Sequence, residues 1–247
     1  MAAAAGAGQA PAAQTVTRDL YELRRYRLRV GAQRDAARAY FADALVPALG
    51  RLGLGPVGVF DAFVGEGPLA VVLFRHPSAD SVVTLGSRLL ADLTYRSAGA
   101  PFLTAPAESP LFERIESSLL RAFEGFPTLV VPDTSAPRLF ELRRYEGPTD
   151  TASLKKIEMF DTGGELPIFR KVGFRPVFFG QTVVGARMPN FEYMLAFKDM
   201  AEREAAWGRF RTDPEWKVLS QRPEYQDARI MSNNMTLFLT PQPSSEI

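Results

Sequence analysis

The chain has 247 residues, 46% hydrophobic and 23% charged, values of a globular protein with room for one large or two ordinary domains. A formal charge of +1, with Lys and Arg spread throughout, offers no basic face for nucleic acid or an anionic membrane, and no apolar run is long enough to cross a bilayer. Zero cysteines exclude thiol nucleophiles, disulfides and thiolate metal sites, and the single histidine, His76, excludes a multi-histidine centre, so no metal and no cofactor is expected.

Residues 1–16 are mostly Ala, Gly, Gln and Pro, without periodicity or charge, and read as a disordered tail. Ala10-Pro11-Ala12 also fits the small-residue cleavage pattern of an export signal. Both readings stay open: cytoplasmic for a solvated tail, exported or periplasmic for the remnant of a signal.

The hexamer Tyr21-Glu22-Leu23-Arg24-Arg25-Tyr26 recurs as Phe140-Glu141-Leu142-Arg143-Arg144-Tyr145, differing only at its first position. Each copy opens a segment of roughly 110 residues, so the chain reads as a duplication of one domain. Apolar and charged residues alternate at period two, which predicts strands over about 20–29 and 139–146. One face then carries Glu22, Arg24 and Tyr26, the other Tyr21, Leu23 and Arg25.

After the first strand, Ala36, Tyr40, Phe41, Leu45, Leu49 and Leu52 recur at helical spacing until Gly50 and Gly53 end the pattern. Val57–Val64 and Leu69–Phe74 read as a hairpin around Gly65-Glu66-Gly67-Pro68. A second helix, capped by Ser78 or Asp80, is predicted through about Leu93, with the Pro/Ala/Gly-rich residues 97–110 as a loop and a closing strand near Phe112–Phe123. The order is βαββαβ, that of a ferredoxin-like unit.

The second copy repeats the scheme. Leu154 to Phe169 suggests a helix interrupted at Gly163-Gly164, and strands are predicted over Val177–Val184, Phe191–Phe197 and Ile230–Leu239. Asp199 with Glu202 forms a capping box, and Asp213-Pro214 starts another helix. The expected boundaries are therefore 1–16 (tail), 17–126 (first unit), 127–137 (linker), 138–241 (second unit) and 242–247 (C-terminal tail).

The segments Glu22–Tyr26, Glu141–Tyr145, Pro176–Gly180, Tyr193–Phe197, Arg203–Trp207 and Asp213–Trp216 together resemble the NIPSNAP family in its bacterial tandem-domain form. The second half carries the closer match. In the first, Leu69–Phe74 stands where the family has a Trp/Tyr-containing strand. The resemblance implies an α+β fold: two tandem ferredoxin-like units packed as a pseudo-dimer of the dimeric α/β-barrel type. It implies a monomer closed on itself or a homo-oligomer.

On that fold, Glu22, Arg24, Tyr26, Glu141, Arg143 and Tyr145 are expected to look into the barrel lumen, joined by the aromatic residues Phe178 and Tyr193. They are either a grip for a small organic ligand or an ion-pair network holding the sheets in register. Arg187 and Asn190 are candidates for the rim. His76 has no sequence-local partner and reads as a surface or capping residue, while Trp207, Phe210 and Trp216 read as core. The leading functional expectation is a small-molecule-binding barrel. The alternatives are a cofactor-independent oxidoreductase or isomerase and a protein-interaction scaffold.

Overall fold

Eight strands, all paired antiparallel, form the frame of a computed structural model that describes residues 17–64 and 67–247. The predicted N-terminal tail and the Gly65-Glu66 half of the predicted turn fall outside those residues. The first unit supplies β1 (Leu20–Arg27), β2 (Gly58–Val64), β3 (Leu69–His76) and β4 (Arg114–Ala122). The second supplies β5 (Leu139–Glu146), β6 (Arg175–Val184), β7 (Asn190–Phe197) and β8 (Asn233–Pro241). Spatial order is β4-β1-β3-β2 in the first unit and β8-β5-β7-β6 in the second, the same ferredoxin-like arrangement twice. Seams between β2 and β8 and between β4 and β6 close the sheets into one barrel. The strands carrying the two hexamers occupy equivalent places, each flanked by the third and fourth strands of its own unit.

Helices cover the outside. In the first unit α1 (Ala32–Tyr40) continues through a π-helical turn, Phe41–Leu45, into α2 (Val46–Arg51). Pro47, at the start of α2, has no N–H to give the preceding turn, and the widened turn absorbs that loss. α3 (Ala79–Ala91) follows, capped by Ser78. Residues 97–110, expected to form a loop, instead begin inside a helix, α4 (Leu93–Leu103). Asp92 starts it by accepting from the Tyr95 N–H at 3.0 Å, and Tyr95, Gly99 and Phe102 form its buried stripe. Packing of that stripe overrides the Gly and Pro signals. A Cβ at Gly99 would lie 3.3 Å from the Ala44 Cβ, a tight contact that glycine avoids.

The second unit carries α5 (Asp150–Phe160), α6 (Glu165–Lys171), α7 (Met200–Thr212), α8 (Pro214–Ser220) and α9 (Asp227–Ile230). The expected interruption falls between α5 and α6, where Gly164 adopts φ +108°. Asp199 caps α7 by accepting from the Glu202 N–H at 2.9 Å, and the Glu202 carboxylate returns to the Lys198 N–H. Asp213 caps α8 through the N–H groups of Glu215 and Trp216 and also meets Lys171 Nζ at 2.6 Å. Asp213→Ala is expected to cost about 1 kcal/mol in urea unfolding, the usual worth of an N-cap.

The barrel interior is apolar at its centre. Tyr21, Leu23, Phe60, Phe140, Leu142 and Phe178 meet there, all fully buried. An eight-stranded barrel leaves room for side chains and little else. The Glu-Arg-Tyr rows accordingly face outward, beneath the helices, which corrects the expectation that they line the lumen. In a closed barrel wrapped by helices both faces of a strand are covered, so alternation separates the faces without saying which is inner. Residues 242–247, set apart as a tail, are also packed. Ser245 Oγ and Glu246 Oε2 accept from the N–H groups of Val59 and Val57, and Ile247 is buried in the lumen cluster.

Candidate functional site

Each outward-facing row builds a buried ionic network, and the two networks differ. In the first unit Glu22 accepts from Arg24 Nε at 2.6 Å and from Ser117 Oγ at 2.8 Å, and its second oxygen lies 2.8 Å from His76 Nε2. The other His76 nitrogen meets Ser81 Oγ on α3 at 3.0 Å. His76 is thus a buried link between strand and helix, not the surface residue its sequence context suggests. Burial alone would raise the Glu22 carboxyl, but the bonds from His76, Arg24 and Ser117 outweigh it and bring its pKa to about 2. Tyr26, Phe41, Tyr40, Tyr95 and Phe102 fill the adjoining space, with the Tyr40 and Phe102 rings stacked 4.2 Å apart.

In the second unit Glu141 is fully buried and accepts four bonds. Arg143 Nη1 donates at 2.8 Å, Arg203 Nη2 and Nε on α7 at 2.8 and 3.0 Å, and Trp207 Nε1 at 2.8 Å. Burial pushes this carboxyl up, while Arg203, Arg143 and Trp207 together hold it below the ordinary range. The Arg143 guanidinium lies over the Trp207 ring at 4.8 Å and the Tyr145 ring at 5.4 Å. Tyr145 and Tyr193 share a hydroxyl–hydroxyl bond of 3.0 Å. Tyr193 therefore joins Arg143 and Tyr145 between sheet and helices, whereas Phe178 is separated from them by the sheet and belongs to the lumen.

A cavity of about 260 Å3 opens beside this network, between β5 and α5 to α9. Tyr145, Trp207, Phe210 and Trp216 give it aromatic walls. Its polar groups include Arg143, Lys156 and Glu165. Lys156 is 3% exposed, with its Nζ 3.1 Å from Asp227 Oδ1. Glu165 is equally buried and makes no hydrogen bond among the described residues; its Oε2 and the Arg143 Nε are both sealed from solvent and unpartnered. Desolvation raises the Glu165 carboxyl to about 7, against the weaker opposing influence of Lys156. Unsatisfied buried polar groups are rare in native structures, and both of these belong to residues that line one cavity.

Lys156, Glu165 and Asp227 escaped the sequence reading, and Arg203 entered it only through the resemblance, not as a site residue. Glu165 had one local signal, a carboxylate in the first turn of a helix whose next residues, Leu166, Ile168 and Phe169, are apolar. Its burial, and that of Lys156, follows only from the way α5, α6 and α9 meet. Of the candidates for the rim, Asn190 is buried and structural, bonded to Thr182 Oγ1 at 2.6 Å, while Arg187 is exposed. Among the described residues no cluster of His, Asp and Glu is arranged to hold a metal ion, and no helix is long and apolar enough to cross a membrane.

Eight antiparallel strands closed by two ferredoxin-like units, with helices outside and a cavity beneath them, define the dimeric α/β-barrel class, here folded within one chain. The profile of the NIPSNAP family matches residues 140–246, which lie in the second unit. Three solved structures share the whole barrel. A candidate monooxygenase from Fusobacterium nucleatum is 6% identical at a TM-score of 0.60, the match covering 92% of this chain and 94% of that one. One from Lactobacillus acidophilus is 11% identical at 0.56, covering 91% and 94%. An anthrone oxidase-like protein is 8% identical at 0.57, covering 92% of each. At such identities the likeness is one of fold alone. No curated protein matches the chain.

Proposed function

We propose that this NIPSNAP-domain protein binds a small, flat organic molecule bearing an acidic oxygen group, and holds it in the cavity between sheet and helices of the second unit. The observation that carries this reading is the pair of unsatisfied buried groups, Arg143 Nε and Glu165 Oε2, beside one aromatic-walled cavity. A guanidinium takes a planar oxyanion, and Tyr145, Trp207 and Trp216 offer ring faces to a flat body. A second reading, cofactor-independent proton transfer on the same molecule, draws support from Glu165. A carboxyl titrating at about 7 exchanges a proton readily near neutral pH.

The chain has two tryptophans, and both line this cavity, so intrinsic fluorescence reports on it directly. Titration with hydroxynaphthoates and hydroxybenzoates should shift tryptophan emission saturably. Trp216→Phe should retain binding, while Trp216→Ala should weaken it about tenfold. Native mass spectrometry of freshly purified protein should show a bound mass that denaturation releases. Unmoved emission across the panel, with no bound mass, would remove the proposal.

A further inference from the structure

One end of the barrel opens into a separate cavity of about 430 Å3, a volume typical of small-molecule sites. Arg25 and Arg27 on β1, Arg144 on β5 and Arg187 in the β6–β7 turn reach it, over an apolar floor that includes Leu69, Leu237 and Met235. Arg25 is 7% exposed, and its Nη2 crosses to Glu192 Oε2 on β7 at 2.5 Å. Arg144 Nε donates to Glu146 Oε1 at 3.0 Å. The remaining N–H groups of these two guanidiniums donate to no side chain or carbonyl among the described residues, and none of those unpartnered nitrogens is sealed from solvent. They front the cavity.

Arg187 is held there by the build of the turn. Its φ of +59° is a left-handed conformation unfavourable for a residue with a side chain. Buried Asn190 fixes it, donating from Nδ2 to the carbonyls of Ala186 and Arg187 at 3.0 and 2.8 Å. The exposed Arg187 side chain has no partner of its own among the described residues. Among the described residues, and setting aside the Arg27–Glu116 pair, three guanidiniums (Arg25, Arg144, Arg187) meet two carboxylates (Glu192, Glu146), leaving one positive charge.

We propose that this mouth is a second ligand site, for a monoanionic carboxylate with an apolar tail. The carboxylate lies between Arg144 and Arg187, near Arg25, and the tail runs onto Leu69, Leu237 and Met235. A single excess charge balances a carboxylate and leaves a phosphate monoester dianion uncompensated. Guanidinium forks match the planar carboxylate.

Octanoate is the probe, followed by methyl NMR on protein labelled at methionine. Met235 lines the mouth and Met231 the interlayer cavity, so the two sites report separately. Octanoate should shift the Met235 methyl saturably while Met231 and tryptophan emission stay unchanged, and the neutral isostere octanamide should bind at least tenfold more weakly. Octyl phosphate, the dianionic arm, should also bind more weakly than octanoate. Arg187→Ala and Arg144→Leu should each weaken octanoate about tenfold. Arg187 is exposed and its removal leaves the core intact, so that variant decides the matter even if Arg144→Leu folds poorly. Octanamide binding as well as octanoate, or Arg187→Ala without effect, overturns the inference. So does a response at Met231 in place of Met235, an outcome that leaves the interlayer site standing.

Discussion

Glu141→Gln should lower the melting temperature by about 10 °C, from a loss of about 3–5 kcal/mol, the usual consequence of breaking a fully buried ion network from one side. Glu141 accepts from three side chains, Arg143, Arg203 and Trp207, on its two oxygens. Glutamine keeps the shape and removes the charge, leaving two guanidiniums facing an amide. The acid limb of stability should change as well. Glu141 has a folded pKa below its ordinary value, so its stabilisation is complete above the unfolded carboxylate range and is lost as pH falls through the folded pKa. The variant should therefore unfold less steeply with acid than the wild type. Thermal melts across pH test both statements, and a shift of only one or two degrees at neutral pH would count against the network as a structural keystone.

Glu165→Gln should do the opposite and stabilise the protein at pH 8. Unfolded, the carboxyl ionises near its ordinary 4.5; folded, desolvation makes it keep its proton up to about 7. Between those values the native state binds more protons than the unfolded state, so stability falls as pH rises through the window. The full decline is about 3 kcal/mol, because each tenfold change in a proton-binding constant is worth ~1.4 kcal/mol. Glutamine cannot ionise and should escape it. The variant is expected to match the wild type near pH 4.5 and to exceed it by several degrees at pH 8. Parallel stability curves for the two proteins would mean that Glu165 is not held in its neutral form.

The duplication, the strand order and the α5–α6 break were legible because each rests on local chemistry. Period-two alternation, a glycine with positive φ and an aspartate ahead of a proline act within a few residues. The inner and outer faces of β1 and β5 were not legible, since Tyr21, Leu23, Phe140 and Leu142 are as suited to a barrel core as to a helix interface. The pairing of Glu22 and Glu141 with arginines follows from desolvation wherever the row points, and it held on the outer face as it was expected to on the inner one. The partners of His76 were hidden for a related reason. Glu22 is on a neighbouring strand, and Ser81 comes into reach only when α3 folds back. Helix α4 was missed because its glycine and proline are tolerated by packing that the sequence does not display. Of the cavity, Arg143 and Tyr145 were named from the hexamer, while Lys156 and Glu165 lie on helices brought together by the tertiary fold.

The halves diverge where the rows meet their helices: aromatic rings fill the first, and the second keeps its hollow. Had the barrel been assembled from two identical chains, every substitution would appear on both sides of the symmetry axis, and a destabilising void with a desolvated carboxyl would be carried twice. Covalent linkage breaks that symmetry. One half is free to serve as ballast for the fold, and the other can hold an energetically unfavourable arrangement once, at half the burden. It also makes closure of the barrel a unimolecular event, so the melting temperature of the folded chain should not depend on protein concentration.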